Sequence, residues 1–459
     1  MGSVDTAVNE HPLANVAEAP LKRVLGLLIV MVALGSIWGA ELMGEYLLVA
    51  IPAVILCGIV FVIKPEMGIG LFISGISIFG IILTVIDFEK PILVYPAMTA
   101  ALAFTTAFLI LSGKAKIPEK SNLIIFSVGY FAIVFFMNVF RTDFAYHTSV
   151  KAFVLVVTCL LPFIMLNLYS GEPKLLIDGF KSTVYLGSLP ILYSFANYFL
   201  GGMGNLMRFA PIEMVNLNTV ARNTGLVALT AVWYFFESKS KATRLYLSLF
   251  FITSVVLVVL TGSRASFLAL FGAVVMFVVL FSGMSLTKRI TVGLMIVILI
   301  ATPLYLGFGS LISRFKNLQY VDLSTAGRVG MWLAAWEHRF DNILIGVGTG
   351  NFASILPAWA VGAGLRFPHN LFIEFYIEWG LFGLVAFVLL FLSPVIIWLR
   401  IRRKKEYPPE TVRFANLLIT FVAFMFVNSL ADVTASDPFL YLPLGALCAI
   451  YSQKDKKCI

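Results

Sequence analysis

The residues best suited to chemistry in this chain are six arginines: Arg141, Arg208, Arg222, Arg264, Arg328 and Arg366. A guanidinium is permanently charged and matches phosphate oxygens two at a time. A charged side chain at membrane depth is costly and normally faces a partner or a cavity. On the topology argued below, all six fall on the outer side of the membrane or in its outer half, where the rest of the chain avoids cations. Such a cluster implies an anionic ligand on that face. A lipid pyrophosphate is the anion that suits a membrane site.

Arg264 lies in Thr261-Gly262-Ser263-Arg264-Ala265-Ser266, which predicts a tight hairpin between two spans. Gly262 permits the turn, and Ser263 is placed to cap the helix that follows. A helix N-terminus beside a guanidinium makes an anion site. The alternative is an arginine reaching to lipid phosphate. Arg222 follows Asn216-Leu217-Asn218-Thr219-Val220-Ala221 and opens another span. It is either a second ligand for the same anion, supported by Asn218, or a helix-end cation facing headgroups. Arg141 and Arg208 join this set or are loop cations with no role.

His369 sits in Pro368-His369-Asn370, where a long outer loop enters the next span beside Arg366. A neutral imidazole can take a proton from a sugar hydroxyl near neutral pH. Asn370 would fix its tautomer or hold a sugar; a helix-capping segment with a solvated histidine is the other reading. Glu374 and Glu378, four residues apart, share a helix face. They should face the bundle interior and pair with one of the arginines; a catalytic acid or base is the alternative. Glu378 is counted with the substrate-binding set. His338, between Glu337 and Arg339, reads as solvated, and Asp432 and Asp437 read as simple topology residues.

The elements that must position these groups are membrane helices. The chain has 459 residues, 60% hydrophobic and 12% charged, with mean hydropathy +0.96. Those values exclude an ordinary soluble domain. Apolar runs long enough to cross a bilayer occur near 24–41, 46–63, 68–86, 92–112, 122–140, 150–168, 176–200, 218–237, 244–260, 264–283, 288–308, 370–399, 411–431 and 437–452. The fold class is all-α, a polytopic helical bundle of about 12–14 spans, because some short runs can be re-entrant or interfacial. It divides into a polar tail at 1–23, a bundle at 24–308, one long helical outer loop at 309–369, further membrane helices at 370–452 and a tail at 453–459.

Loop charges orient the layout. Alternate loops carry Lys22-Arg23, Lys64, Lys114-Lys116-Lys120, Lys174, Lys239-Lys241-Arg244, Lys288-Arg289, Arg400 to Lys405 and Lys454-Lys456-Lys457. The intervening loops hold only Lys90, Lys151 and Lys316 as lysines. The positive-inside rule puts the first set and both termini in the cytoplasm. The net charge of +9 is then a topology signal and not a nucleic-acid surface. No cleavable leader is expected, because the first 20 residues lack an apolar region. Cys57, Cys159, Cys448 and Cys458 have neither metal-ligand spacing nor an outer-loop location, so no disulfide and no metal are expected.

Within the long loop, 325–340 predicts a short helix with Arg328, Trp332, Ala335 and Arg339 along one stripe. Gly346, Gly348 and Gly350 then break regular structure. No Walker-type loop, nucleophile elbow or paired-aspartate motif is present, so an activated sugar would have to arrive on lipid.

Thr261-Gly262-Ser263-Arg264-Ala265 resembles a segment of bacterial O-antigen ligases and O-antigen polymerases. So do Gly327-Arg328 with Trp332, the run Ile345-Gly346-Val347-Gly348-Thr349-Gly350-Asn351-Phe352, then His369-Asn370, and Glu378-Trp379-Gly380-Leu381-Phe382-Gly383. The order is the family's, over roughly 216–390. The resemblance implies a metal-independent, cofactor-free glycosyltransferase in the bacterial inner membrane, with its active site at the periplasmic face. The donor would be an undecaprenyl-pyrophosphate-linked glycan. Arg222 and Arg264 would bind the pyrophosphate, assisted by Arg328, and His369 would activate the acceptor hydroxyl. The acceptor would be lipid A–core in a ligase, another lipid-linked glycan in an O-antigen or exopolysaccharide polymerase, or a protein in the protein O-oligosaccharyltransferases that share the layout. The entry to the helix at Arg366 and His369-Asn370 looks closer to ligases. A lipid-linked glycan transporter is the reading from another class, against which stand the absence of an inverted repeat and the one long outer loop.

Overall fold

The computed structural model describes residues 64, 66–85, 94–111, 116, 122–142, 145–200, 216–280, 323–357, 360, 367–404, 406–431 and 435–452, with isolated positions between 290 and 301. The chain divides into two compact units, 1–64 and 65–459, and everything below concerns the second. The expected spans at 24–41 and 46–63, most of 288–308, the first part of the long loop, Arg208 and Arg366 lie outside the described residues.

The protein is an all-α, multi-pass membrane protein, with no β-strand among the described residues. In chain order the helices are α1 (Glu66–Val85), α2 (Val94–Leu111), α3 (Leu123–Val139), α4 (Ala145–Val154), α5 (Leu161–Asn167), α6 (Pro173–Leu200) and α7 (Leu217–Glu237). They continue as α8 (Lys241–Leu260), α9 (Arg264–Leu280), α10 (Leu323–Glu337), α11 (Leu371–Arg403), α12 (Pro409–Ser429) and α13 (Pro438–Tyr451). A π-turn, Leu155–Leu160, joins α4 to α5 into one span. Among the described residues five helices are long and apolar enough to cross a bilayer: Thr148–Asn167, Pro173–Ala196, Lys241–Leu260, Leu371–Arg403 and Pro409–Ser429. Shorter apolar helices, including Leu123–Val139, Arg264–Leu280 and Pro438–Tyr451, fill the bundle between them.

Helix α1 packs on both α2 and α6, α6 packs on α7, α7 also contacts α8 and α9, and α9 lies on α12. On the other side α3 lies along α11, and α13 packs on α5 and α12. The aromatic residues Phe131, Phe135, Phe375, Trp379 and Tyr441 lock α3, α11 and α13 together, with ring centroids 4.6–6.1 Å apart. Such contacts matter in lipid, where helices associate through close packing and not through exclusion of water.

Helix α11 is broken. Gly380 has φ 60° and ψ −145°, which no helical residue adopts. The backbone groups freed by the break are taken up by the segment 343–348. Ile377 and Glu378 carbonyls accept from Val347 and Gly348 N–H at 2.9 Å, while Leu381 and Phe382 N–H donate to the Ile343 and Leu344 carbonyls. Irregular backbone at a membrane is tolerated only where its polar groups are satisfied in this way. Both sides need glycine. A Cβ on Gly380 would lie 2.5 Å from Ile343 O, and one on Gly346 (φ 65°) would lie 2.4 Å from the Glu378 carbonyl carbon. The glycine run of the long loop and the glycine inside α11 are therefore two halves of one joint.

Helix α10 begins and ends close to its expected bounds, but its stripes differ from the expectation. Met331, Ala334 and Ala335 form the buried face, against Phe352, Leu356 and Ile377. Trp332 lies at the edge of that face, where its indole N–H donates to Pro368 O at 2.8 Å.

Candidate functional site

Arg222 sits in the second turn of α7, which Asn216 caps by accepting from Asn218 N–H. The whole of Val220–Trp233 is buried, and so is Arg222. Its partner is Asp437, 2.9 Å away, and both side chains are only 6% exposed. A second Arg222 N–H donates to the Thr219 hydroxyl. Asp437 also caps α13 by accepting from Phe439 N–H at 3.0 Å. The expectation that Asp437 is a simple topology residue is thus corrected: it holds the buried guanidinium and starts a helix. Nothing local marks this pairing, because the two residues lie on helices far apart in sequence.

Arg264 opens α9 after a turn in which Gly262 has φ 68°. Thr261 closes the preceding helix with its hydroxyl on Val258 O. Ser263 donates to the Ser266 hydroxyl, which in turn donates to Asn428 Oδ1 at 3.0 Å. These bonds tie the start of α9 to the end of α12. The Arg264 side chain itself is half-buried.

His369 has φ 50°, a left-handed backbone that a non-glycine residue rarely takes. Its neighbours hold it there. Pro368 O is bound by Trp332, and the Phe367 ring lies 4.5 Å from the imidazole. Asn370 caps α11 by accepting from Ile373 N–H at 3.2 Å, and its amide donates to Leu430 O at 3.1 Å. The amide of Asn370 thus anchors the histidine turn to the end of α12, while its oxygen caps α11.

Glu374 and Glu378 do share the inward face of α11, but their cation is not an arginine. Lys151 of α4 lies 2.6 Å from each carboxylate, both of which are 1% exposed. Glu378 also accepts from Gly350 N–H, and the ammonium lies 5.4 Å from the Trp379 ring centre. The physical reason is geometric: in the last turn of α4, Lys151 reaches both carboxylates at once, because residues four apart on α11 stack one above the other. Sequence reading passed over Lys151 as a loop lysine; its presence among cation-poor outer segments was the available signal.

Arg141 follows α3 and serves the joint. It donates to Asn138 Oδ1 and to the Ile345 and Gly346 carbonyls at 2.7–3.0 Å. Asn351 donates back to Arg141 O, and Thr349 accepts from Trp379 while donating to Phe135 O. Arg141 thus clamps the glycine run. Arg328 and Asn218 are half-buried, on α10 and in the first turn of α7.

Helix direction gathers the set. Helix α8 returns along α7, and α9 packs back against α7, so Arg222 near the start of α7 and Arg264 at the start of α9 lie toward the same end of the bundle. The bonds from Ser266 and Asn370 to the end of α12, and the Arg222–Asp437 pair at the start of α13, bring α11, α12 and α13 to that end too. Lys151, Glu374, Glu378 and His369 are there as well. At the opposite end of α11 stand Arg400, Arg402 and Arg403.

Residues 249–388, from within α8 through α9, the long loop and the first half of α11, match the family described as O-antigen ligase. Over this stretch the chain resembles the O-antigen ligase family. Arg264, Arg328, His369, Glu374 and Glu378 fall inside the matched stretch; Lys151, Arg222 and Asp437 fall outside it. The teichuronic acid biosynthesis protein TuaE of Bacillus subtilis (strain 168) is similar, at 27% identity over 220 residues. That match covers 45% of this chain and 44% of the relative, so this chain spans less than half of the curated relative it matches.

Proposed function

We propose that the protein is a glycosyltransferase that moves a glycan from undecaprenyl pyrophosphate to an acceptor hydroxyl at the periplasmic face of the bacterial inner membrane. The observation that carries this reading is the His369 turn. A left-handed histidine held by Trp332, Phe367 and Asn370 is a strained residue that its surroundings over-determine, and such strain concentrates at functional sites. His369 takes the proton from the acceptor hydroxyl. The acceptor oxygen bonds to the anomeric carbon of the donor sugar as that carbon's bond to the pyrophosphate oxygen breaks. Arg264 and Arg222 stabilise the charge that develops on the departing pyrophosphate, with Arg328, Arg366 and Arg208 as further substrate cations. Asp437 holds Arg222 in place before substrate arrives, so little reorganisation accompanies the reaction.

The acceptor separates two readings. Lipid A–core as acceptor makes the protein a ligase, the reading favoured by the resemblance around His369. Extension of lipid-linked repeats makes it a polymerase, a reading favoured by the relative, whose name refers to teichuronic acid biosynthesis. The deciding experiment supplies purified protein in lipid with undecaprenyl-pyrophosphate glycan, with and without lipid A–core. A single-step product that requires lipid A–core identifies a ligase, and a ladder formed without it identifies a polymerase. No product from either acceptor, with donor carried across the membrane instead, overturns transfer in favour of transport.

A further inference from the structure

Helix α10 is apolar on two opposite faces. One face, Met331, Ala334 and Ala335, is buried against the protein. The other carries Val329, Leu333 and Trp336 and is continued past the helix end by Phe340, and all are exposed, Trp336 and Phe340 at 65% each. Leu344, 58% exposed, continues it where the chain docks onto α11. The polar residues lie between the two faces, and Arg339 stacks between the Trp336 and Phe340 rings at 4.2 and 4.4 Å. A helix with a free apolar face needs an apolar partner. Exposed patches of this kind mark interaction surfaces.

The register of α11 says which partner. Past the break at Gly380 it runs on to Arg403 as a continuous helix about 35 Å long at 1.5 Å per residue. A hydrocarbon core about 30 Å thick takes up about 20 of its residues. Arg400, Arg402 and Arg403 mark one boundary, and about 20 residues back from Arg400 is Gly380. Within that window Leu381, Val385, Val388 and Leu392 form an exposed apolar stripe at helical spacing, as a lipid-facing surface should. The other boundary of the hydrocarbon therefore falls at the break in α11. Ile343 O accepts from Leu381 N–H at 2.7 Å, so the exposed Leu344 side chain reaches that boundary and adjoins the lipid-facing stripe. Tryptophan, phenylalanine and arginine side by side are the composition of the interfacial layer.

We propose that the Val329–Leu344 surface lies in the bilayer interface, on the face of the membrane opposite Arg400–Arg403, with Leu333, Trp336, Phe340 and Leu344 dipping into the acyl boundary. About a quarter of the long loop, on this assignment, is not a solvated cap. It is a lipid-seated collar, and it holds the glycine joint of α11 and the His369 turn at the level of the headgroups. The inference depends on exposure and register alone and stands apart from the proposed reaction.

The test is a collision measurement on the full-length protein in liposomes. Cys57 and Cys458 are replaced by serine, and the buried Cys159 and Cys448 are left in place. A nitroxide is attached at Leu333→Cys or Leu344→Cys, with Val388→Cys as the lipid control and Glu337→Cys as the water control. Both sites are exposed apolar positions, so the substitutions leave the fold intact. The expected result is an oxygen-to-nickel-complex collision ratio several-fold above that of Glu337→Cys and approaching that of Val388→Cys. A ratio equal to Glu337→Cys means a solvated loop and overturns the assignment. Low collisions with both reagents mean that protein covers the face, and dipolar coupling between labels would identify a second copy; either result also overturns it.

Discussion

Replacing Asp437 by asparagine separates two tasks that one carboxylate performs. The charge pairs with Arg222 at 2.9 Å where both side chains are 6% exposed, and one oxygen caps α13 by accepting from Phe439 N–H. Asparagine caps a helix as well as aspartate does, so Asp437→Asn keeps the cap and removes only the charge. That leaves a guanidinium buried without its counter-ion, which costs about 3–5 kcal/mol. Asp437→Ala removes the cap too and adds about 1 kcal/mol. The double variant Arg222→Met with Asp437→Asn removes the stranded charge and should recover most of the loss, since apolar replacement of a buried pair is often neutral. The assay is unfolding of the micelle-bound protein by SDS, followed by tryptophan fluorescence. Transfer activity is measured beside it, and the double variant should be stable and inactive. If Asp437→Asn lies within about 0.5 kcal/mol of wild type, the range of an ordinary surface change, the pair does not carry the energy assigned to it.

Three further outcomes are expected. Gly380→Ala and Gly346→Ala each place a Cβ within about 2.5 Å of backbone at a positive φ, so both should cost more than about 2 kcal/mol and expose 343–348 to protease, whereas Gly129→Ala and Gly272→Ala, with open space around them, should be neutral or stabilising; equal behaviour of the two pairs would refute the joint. Lys151→Met should destabilise the same SDS transition by about 3–5 kcal/mol by stranding Glu374 and Glu378, and Lys151→Arg should recover most of it; a silent Lys151→Met would show that the carboxylates do not depend on that cation. Arg264→Ala should abolish transfer in a folded, inserted protein, while His369→Ala should cut transfer and spare donor binding, and EDTA should leave the rate unchanged; loss of donor binding in His369→Ala would remove the histidine from the general-base role.

Much of the architecture was legible because it rests on local signals. Apolar length fixed most helices, and α6, α8, α11 and α12 lie within a few residues of their expected bounds. The turn at Gly262 and the break after Gly346 followed from glycine at positions needing a positive φ, and the structure has both. What stayed hidden depends on contacts between distant segments. Lys151 meets Glu378 across 227 residues of sequence, and no local pattern encodes such a pairing. Asp437 looked like a loop residue because a helix cap and a buried counter-ion carry the same letter. The clamp that Arg141 forms stayed hidden because two of its acceptors are backbone carbonyls, which sequence does not display as a site.

The same contacts explain why a weak set of motifs occurs in a fixed order. Ile345 to Asn351 and Glu378 to Gly383 are the two faces of one joint, bonded backbone to backbone and clamped by Arg141. Glu378 belongs to both parts, since it accepts from Gly350 N–H and pairs with Lys151. Trp332 then connects α10 to Pro368, and so connects the interfacial helix to the His369 turn. A change in depth of α10 would therefore move the histidine relative to Arg222 and Arg264, which are anchored separately through Asp437 and Asn428. On the proposed reading the general base belongs to the lipid-seated loop and the phosphate ligands to the bundle. This division would let the membrane surface set the height at which an acceptor hydroxyl meets a donor pyrophosphate.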